Sequence, residues 1–471
     1  MKTFSMGGVH PEENKLSAGS PIREAALPKQ AVFSMFQHIG APAVPVVKRG
    51  DVVKVGTLLG EANGFVSAPV YSSVSGKVSK VDVALDASDT RRMAVYVDVE
   101  GDEWEDSIDR TTDLVKLSDR PDLDSKTIIE KVKAAGIVGM GGATFPCHVK
   151  LSPPPGQKAE CVIINAVECE PYLTSDHSLM LEHAAEILVG VKLIMKAVNV
   201  QKGYIGIENN KPDAIQLMKQ TAAEYPDIEV VPLKVQYPQG GEKQLIDAVI
   251  GRQVPAPPAI PINVGAVVQN VGTAFAIYEA VMKNKPLISR VITVTGKSLK
   301  NPSNLLARLG TPFSQLIEEC GGLPADTGKI IGGGPMMGKA LISADIPMTK
   351  GSSGLLIMNE KESRRAEVEP CIRCAKCVGA CPMGLEPYLL STLSSQHVWD
   401  RAEAEVGAQY CLYCLACQFG MIIFLRQMAE PHVFQLLTHV VCKCFTTGIV
   451  AEMSSSAKYS FFQMLWIWSL L

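Results

Sequence analysis

The 471-residue sequence lacks long hydrophobic runs, a strong excess of either charge and a secretory leader. No stretch approaches the roughly 18 consecutive apolar residues that a membrane-spanning helix needs. Residues 1–17 lack the apolar core of a signal peptide. The net charge of −3 provides no electrostatic basis for a nucleic-acid partner. We therefore expect a cytoplasmic protein without a transmembrane segment, whose membrane association comes through partner proteins.

Cysteine, in contrast, is abundant and clustered. Seven of the 13 cysteines form two runs, which are Cys371, Cys374, Cys377 and Cys381, and then Cys411, Cys414 and Cys417. In the first run, spacers of two, two and three residues precede a proline, as in the loop that holds a 4Fe-4S cluster in bacterial ferredoxins. A zinc site would explain one run, but two successive runs favour iron–sulfur clusters. The clustering also predicts a reducing compartment rather than scattered disulfides.

Composition and length predict a multidomain globular protein. Apolar residues make up 47% of the chain and charged residues 20%, and the length allows roughly three or four domains. Residues 45–81 contain short valine-rich runs broken by turn residues, which predicts small β-strands. They resemble a biotinyl/lipoyl-like hammerhead domain. The tip, Tyr71 to Ser73, offers no lysine for a carried cofactor, so a docking or scaffold role is favoured.

A glycine-rich loop follows a polar linker (residues 99–125) and a helical pattern (residues 126–135). Gly139, Gly141 and Gly142 would let backbone amides approach a phosphate closely, and Lys150 could add a positive charge. The alternative is a simple turn.

Strand and helix patterns alternate after this loop, which predicts a doubly wound α/β sheet. Residues 161–165, CVIIN, are typical of a buried parallel strand, and Glu168, Glu170 and Asp176 follow its end. Ligands bind at that edge of open α/β sheets. A second glycine-bearing junction, YPQGGEKQ, begins at Tyr237. Acidic residues at such junctions also serve as helix caps, and that alternative stays open. Residues 263–282 are expected to form one closing helix.

Several ordered motifs together resemble RnfC, a component of the Rnf electron-transport complex. They are GGVHPEENK, GGATFP, NAVECEP, YPQGGEKQL, QNVGT and CIRCAKCVGACPMGLEPYLL. The resemblance covers residue 1 to about residue 417. The flavin- and NADH-binding subunit of respiratory complex I is a more distant resemblance. The corresponding component of the sodium-pumping quinone reductase is disfavoured because it would not predict the cysteine runs.

The resemblance implies an α/β multidomain fold. Its expected parts are a β-rich hammerhead or barrel-sandwich domain (1–100), a Rossmann-like FMN/NADH-binding domain (126–285), a small β-grasp, soluble-ligand-binding domain (286–350), an α-helical ferredoxin-like domain (360–420) and a tail of unknown structure (421–471). In the third of these, the turn from Gly332 to Pro335 is expected to present a docking face rather than to bind phosphate.

The resemblance also implies roles for individual residues. Glu168 and Glu170 match the acidic stretch on the flavin and nicotinamide side and are the expected catalytic pair. Residues expected to bind the cofactor are Gly139, Gly141, Gly142, Phe145, Lys150, Asn165, Tyr237, Gly241, Glu242, Asn270 and Thr273. Phe145 would lie against a ring system, or would simply be a buried aromatic.

The family's crossed cluster ligation implies one complete and one incomplete set of ligands. One cluster would take Cys411, Cys414 and Cys417 together with Cys381. The other would take Cys371, Cys374 and Cys377, but Met421 stands where its fourth cysteine belongs. Because the sequence after about residue 417 no longer resembles the family, we hypothesise a shifted reading frame in the tail.

The function implied is that of a peripheral subunit of an ion-translocating ferredoxin:NAD oxidoreductase, on the cytoplasmic side of the membrane. It would pass electrons between NAD(H) and ferredoxin-level carriers through FMN and 4Fe-4S clusters. Its partners would be the other Rnf subunits, including integral membrane ones, and ferredoxin or an iron–sulfur subunit. The alternative is a non-catalytic electron wire or assembly scaffold with a vestigial flavin pocket.

Overall fold

The computed structural model describes residues 1–255, 259–364, 370–398 and 401–402. Its first part is built from short strands, as the valine-rich runs predict. The strands are β1 (Arg23–Glu24), β2 (Gln30–Ser34), β3 (Val44–Pro45), β4 (Val52–Val53), β5 (Leu58–Glu61), β6 (Val70–Tyr71), β7 (Gly76–Leu85) and β8 (Arg91–Val99). All of them except β1 form two antiparallel sheets, in the orders β2-β8-β7-β4 and β3-β5-β6. Phe33, Leu59 and Val78 are fully buried in their shared core.

The second part is a parallel sheet with helices. Its elements are α1 (Ser125–Ala134), α2 (Cys147–Lys150), β9 (Cys161–Asn165), α3 (Ser175–Glu182), α4 (Ala184–Ala197), β10 (Gly203–Glu208), α5 (Pro212–Ala222), β11 (Ile228–Leu233), α6 (Glu242–Ile250), a 3-10 turn (Pro261–Val264), β12 (Ala266–Asn270) and α7 (Val271–Met282). The order β11-β10-β9-β12 is parallel throughout. The α/β pattern of strands and helices predicted from the sequence is confirmed.

The expectation of one helix over residues 263–282 is wrong. Gly265, in the left-handed region at φ 74°, ends the 3-10 turn, and the β-branched run that follows enters the sheet as β12. Only from Val271 onward is the segment helical. As a result, β12 brings Asn270 to the carboxyl edge of the sheet, where it is paired with Asn165 of β9.

The third part is a mixed sheet of six strands in the order β1-β14-β13-β17-β15-β16. It contains β13 (Ser289–Thr295), β14 (Ser303–Arg308), α8 (Phe313–Glu319), β15 (Thr327–Gly332), β16 (Lys339–Ala340) and β17 (Gly354–Asn359). The edge strand β1 comes from the N-terminal region and pairs with β14 in parallel. Three short helices follow, namely α9 (Glu360–Ser363), α10 (Lys376–Ala380) and α11 (Pro387–Ser395).

A buried lysine joins the three parts. The Lys350 side chain is fully buried, and its ammonium donates to the carbonyl oxygens of Pro69 at 2.7 Å and Gly136 at 2.8 Å. Its own amide donates to Gln37 Oε1 at 3.0 Å. Burial lowers the pKa of Lys350 to about 7. One residue of the third part therefore satisfies backbone groups of the other two.

Replacing Lys350 by methionine is expected to destabilise the protein. Methionine keeps the apolar stem but leaves two buried carbonyls unpaired, at a cost of about 1–3 kcal/mol each. The melting temperature from differential scanning calorimetry should fall, whereas the exposed control Lys77→Met should leave it unchanged. Equal melting temperatures for the two variants would contradict this role.

Candidate functional site

Two asparagines organise the carboxyl edge of the parallel sheet. Asn165, at the end of β9, donates from Nδ2 to the carbonyl of Gly240 at 2.8 Å and thereby holds the junction that precedes α6. Asn270, at the end of β12, caps α7 by accepting from the Thr273 amide at 3.2 Å. Its Nδ2 donates to Asp176 Oδ2 at 2.8 Å. The two asparagines thus connect three loops that are distant in sequence.

Hydrogen bonds hold the base of the glycine-rich loop, at Gly139 and Met140, whereas its crest, at Gly142, is open. The Gly139 amide donates to the Phe145 carbonyl at 2.9 Å, and the Met140 amide donates to Thr273 Oγ1 at 3.0 Å. Gly141 packs so closely on Asn270 that a Cβ there would lie 2.8 Å from its side chain. A Cβ on Gly142 would meet nothing within 4 Å. The crest therefore leaves room in front of exposed backbone, as a phosphate cradle requires.

Lys150, which was expected to add a positive charge at this loop, is paired with an acidic residue of the second junction. Lys150, at the end of α2, donates to Glu242 Oε1 at 2.6 Å and to the Val268 carbonyl at 3.2 Å. Glu242 is the first residue of α6, directly after Gly241. The structure therefore brings Lys150, which follows the glycine-rich loop, into contact with Glu242 of the second junction.

Glu168 is a helix cap as well as a member of the predicted catalytic pair. Its backbone lies in the left-handed region at φ 47°. Its carboxylate accepts from the amides of Asp176 at 2.7 Å and His177 at 3.3 Å, at the start of α3. The capping alternative left open by the sequence is thus realised, because orphan amides at a helix start attract a carboxylate.

Glu170 faces the glycine turn of the six-stranded sheet. Its Oε2 accepts from the Met336 amide at 3.1 Å, and a Cβ on Gly334 would collide with it. Burial raises the pKa of Glu170 to about 7, and within the described residues its Oε1 has no hydrogen-bond partner. The turn from Gly332 to Pro335 therefore packs against Glu170.

Three further titratable groups lie at this edge, and the sequence had indicated only Asp176 among them. Burial raises the pKa of Asp176 and of Glu208 to about 7 each, and the Glu168 charge contributes to the shift of Asp176. Lys211 lies 3.7 Å from Glu208 and donates to the Val167 carbonyl at 2.8 Å. The sequence of residues 203–211 looks like an ordinary strand end, so nothing in it indicated this buried pair.

Lys15 is the most consequential residue that sequence reasoning missed. Its ammonium donates to the carbonyls of Glu168 at 2.9 Å, Glu170 at 2.9 Å and Leu173 at 2.7 Å. Burial lowers its pKa. The motif GGVHPEENK, which ends at Lys15, was the signal that could have identified it.

The two predicted aromatic residues lie in different environments. Phe145 is half-buried at the base of the glycine-rich loop. Tyr237 is only 4% exposed, and its amide and carbonyl both pair with Val9 of the N-terminal segment at 2.8 Å. Tyr237 therefore links the second junction to the start of the chain.

The first cysteine run lies mostly on the surface. Cys371 and Cys374 are exposed, Cys377 is half-buried and Cys381 is buried. Within the described residues, no group of three or more His, Cys, Asp or Glu side chains is gathered as a metal site. Thiolates are the donors that an iron–sulfur cluster requires, so the donor chemistry fits even though the ligands are not gathered. Cys411, Cys414, Cys417 and Met421 lie outside the described residues, as does the rest of the tail.

Models of four domain families match successive parts of the chain. The RnfC barrel sandwich hybrid domain matches residues 2–102, and the Nuo51 FMN-binding domain matches residues 132–279. The SLBB domain matches residues 291–340, and the 4Fe-4S dicluster domain matches residues 364–419. The predicted need for FMN and for 4Fe-4S clusters is confirmed by these domains.

Relatives that match most of the chain identify the family. The C subunit of the Na+-translocating ferredoxin:NAD+ oxidoreductase complex of Acetobacterium woodii is 45% identical over 399 residues, covering 84% of this chain and 89% of that protein. This chain belongs to the RnfC family. The C subunit of the proton-translocating complex of Clostridium ljungdahlii is 45% identical, covering 86% of this chain and 87% of that protein. The C subunit of the ion-translocating oxidoreductase complex of Rhodobacter capsulatus is 40% identical, covering 83% of this chain and 75% of that protein.

Membership of the RnfC family makes the chain one component of a multi-subunit oxidoreductase complex. The resemblance based on the sequence motifs is thereby confirmed. Within the part of the chain that the structure describes, no helix combines the length and apolar character needed to span a bilayer.

The raised pKa of Glu170 has a measurable consequence. The folded protein holds this proton more tightly than the unfolded chain, so the contribution of Glu170 to stability is lost as the pH rises from about 4.5 to about 7. Glutamine cannot titrate. The melting temperature of flavin-free Glu170→Gln, relative to the unmodified protein, should therefore rise across that window. The exposed control Glu61→Gln should show no such trend, and a flat difference for Glu170→Gln would refute the shifted pKa.

Proposed function

We propose that this chain exchanges electrons between NAD(H) and ferredoxin-level carriers, and that its flavin site is the carboxyl edge of the parallel sheet. The observation that carries the proposal is the open crest at Gly142, which faces space while the base of its loop is fixed to Thr273 and Asn270. A phosphate group fits such a cradle, since backbone amides and a helix start both favour an anion.

The residues at this edge have separable roles in the proposal. Backbone amides of Gly141 and Gly142 and the start of α7 at Asn270 and Thr273 would hold the FMN phosphate, with Lys150 adding charge. Asn165 and the junction from Tyr237 to Glu242 would shape the opposite wall. FMN held there would supply the conversion of a two-electron hydride transfer from NADH into single-electron steps. Glu168 and Glu170 would order the turn that faces the nicotinamide.

The structure also contains an observation that favours the scaffold alternative. Both predicted catalytic carboxylates are already engaged, Glu168 at the start of α3 and Glu170 at the turn that contains Met336. If these contacts are their whole function, the acidic turn is an assembly element and not a nicotinamide site. The double variant Glu168→Ala and Glu170→Ala tests this point, because NADH oxidation at an unchanged rate would count against the acidic turn as the nicotinamide site.

The finer assignments form part of the same proposal. They are a lipoyl-like hammerhead fold for residues 1–100, a Rossmann-like fold for 126–285, a β-grasp fold for 286–350 and a ferredoxin-like fold for 360–420. The partners are integral membrane components of the complex and ferredoxin or an iron–sulfur protein, and the chain lies on the cytoplasmic side of the membrane. Cys371, Cys374, Cys377 and Cys381 would be cluster ligands together with Cys411, Cys414 and Cys417.

Filling the space in front of Gly142 tests the flavin site. Because a Cβ there meets nothing within 4 Å, Gly142→Val should leave the melting temperature of the flavin-free protein unchanged. Its affinity for FMN, measured by flavin fluorescence quenching, should fall about tenfold or more, because even one displaced hydrogen-bonded contact costs about 1.5–3 kcal/mol when the acceptor is charged. Unchanged affinity would place the phosphate elsewhere.

Spectroscopy of the purified protein tests the reaction. NADH should bleach the visible absorbance of protein that carries both FMN and iron, because the flavin must accept the hydride before single electrons can move on. Flavin-free protein with the same iron content should not bleach. Bleaching of the flavin-free sample would exclude the proposed route.

A further inference from the structure

The first 15 residues follow the carboxyl edge of the parallel sheet. Lys2 forms a parallel bridge with Leu233, at the end of β11, and Val9 forms an antiparallel bridge with Tyr237. The carbonyl of Glu13 accepts from the Tyr172 amide at 2.8 Å. Lys15 then binds the carbonyls of the turn after β9. The segment thus contacts the turn after β9 and the junction that begins at Tyr237, both of which are assigned to the flavin site.

The same segment contacts the turn that ends the first cysteine run. The Gly8 amide donates to the carbonyl of Ala380 at 2.9 Å. Gly7 has φ 71°, and a Cβ there would lie 2.6 Å from the carbonyl carbon and oxygen of Cys381. Only glycine fits at this position, for steric as well as conformational reasons. The side-chain amide of Gln236 in turn donates to the Gly7 carbonyl.

Adjacent residues of one short peptide therefore touch both parts of the molecule. Gly8 is bonded to the residue before Cys381, and Val9 is bonded twice to Tyr237. The separation between the cysteine turn and the second junction is consequently fixed by a single peptide unit. Cys381 is also the buried member of its run, so it is the cysteine whose position the fold determines best.

We propose that the segment Gly7–Val9 is a positioning element that sets the distance between the flavin site and the cluster ligated by Cys381. The inference rests on the proposed function, because it concerns the transfer of electrons between those two sites. The segment neither binds substrate nor ligates iron. Its glycines bring the cysteine turn against the sheet edge, and its bonds to Ala380 and Tyr237 keep it there.

A matched pair of glycine variants tests the proposal in the full chain. Gly7→Ala and Gly19→Ala both place alanine at a positive φ, 71° and 74°, and so carry a similar backbone strain. A Cβ on Gly19 meets nothing within 4 Å, whereas a Cβ on Gly7 collides with Cys381. Differences between the two variants therefore report the contact and not the strain.

Three measurements are made on each variant after iron and FMN have been quantified. Hydrogen exchange of residues 378–386 should be faster in Gly7→Ala, which reports release of the cysteine turn without reference to activity. NADH-driven flavin bleaching should be equal in both variants. Reduction of the clusters, followed by stopped-flow absorbance and by electron paramagnetic resonance, should be several-fold slower in Gly7→Ala than in Gly19→Ala, because electron transfer slows as the distance between the two sites increases.

The outcomes distinguish failure of the inference from failure of the proposed function. Equal hydrogen exchange and equal cluster reduction in the two variants would overturn the positioning role while leaving the flavin chemistry intact. Absence of NADH bleaching in Gly19→Ala and in the unmodified protein would overturn the proposed function itself. Loss of iron in Gly7→Ala would show that the contact supports cluster assembly rather than distance, and would also overturn the inference as stated.

Discussion

The coordination of the Lys15 ammonium by three backbone carbonyls is the interaction on which the site depends. The chain that leaves β9 must turn back at the sheet edge, and in doing so it directs the carbonyls of Glu168, Glu170 and Leu173 toward one point. Buried carbonyls without a donor are costly, and a lysine with three donors satisfies all of them. Because that lysine comes from the N-terminal segment, the shape of the acidic turn is coupled to residues about 150 positions earlier in the chain.

This coupling explains why the parts of the molecule meet at one edge. Glu170 contacts the glycine turn of the six-stranded sheet, Glu168 caps α3, and Asn270 connects α7 to Asp176. Lys350 performs a similar task at a second junction, where it satisfies carbonyls of the N-terminal strands and of the loop after α1. Glu170 and Lys350 each complete the hydrogen bonding between different parts, so the parts are held by specific contacts as well as by apolar burial.

Under the proposed function, Glu168 and Glu170 would combine a structural role with a chemical one. Capping a helix and docking a turn fix the carboxylates of Glu168 and Glu170 in space, and catalysis needs groups held in fixed positions. Burial raises the pKa of Glu170, Asp176 and Glu208 to about 7 each, which places several protonation equilibria near neutrality at the same edge. Clusters of perturbed groups in this arrangement are typical of functional sites.

The sequence alone determined the family, the cofactors and the main elements, because ligand spacing, glycine motifs and strand–helix alternation are local properties of the chain. It placed β9, the glycine-rich loop and both junctions correctly, but it took β12 for part of a helix, since a short apolar run fits either structure. The buried Glu208–Lys211 pair, the Lys15 coordination and the contact of Gly7 with Cys381 were decided only by the tertiary structure. The last two join segments that are distant in sequence, and such contacts leave no periodicity to detect. The Glu208–Lys211 pair is local, but its burial depends on the surrounding fold.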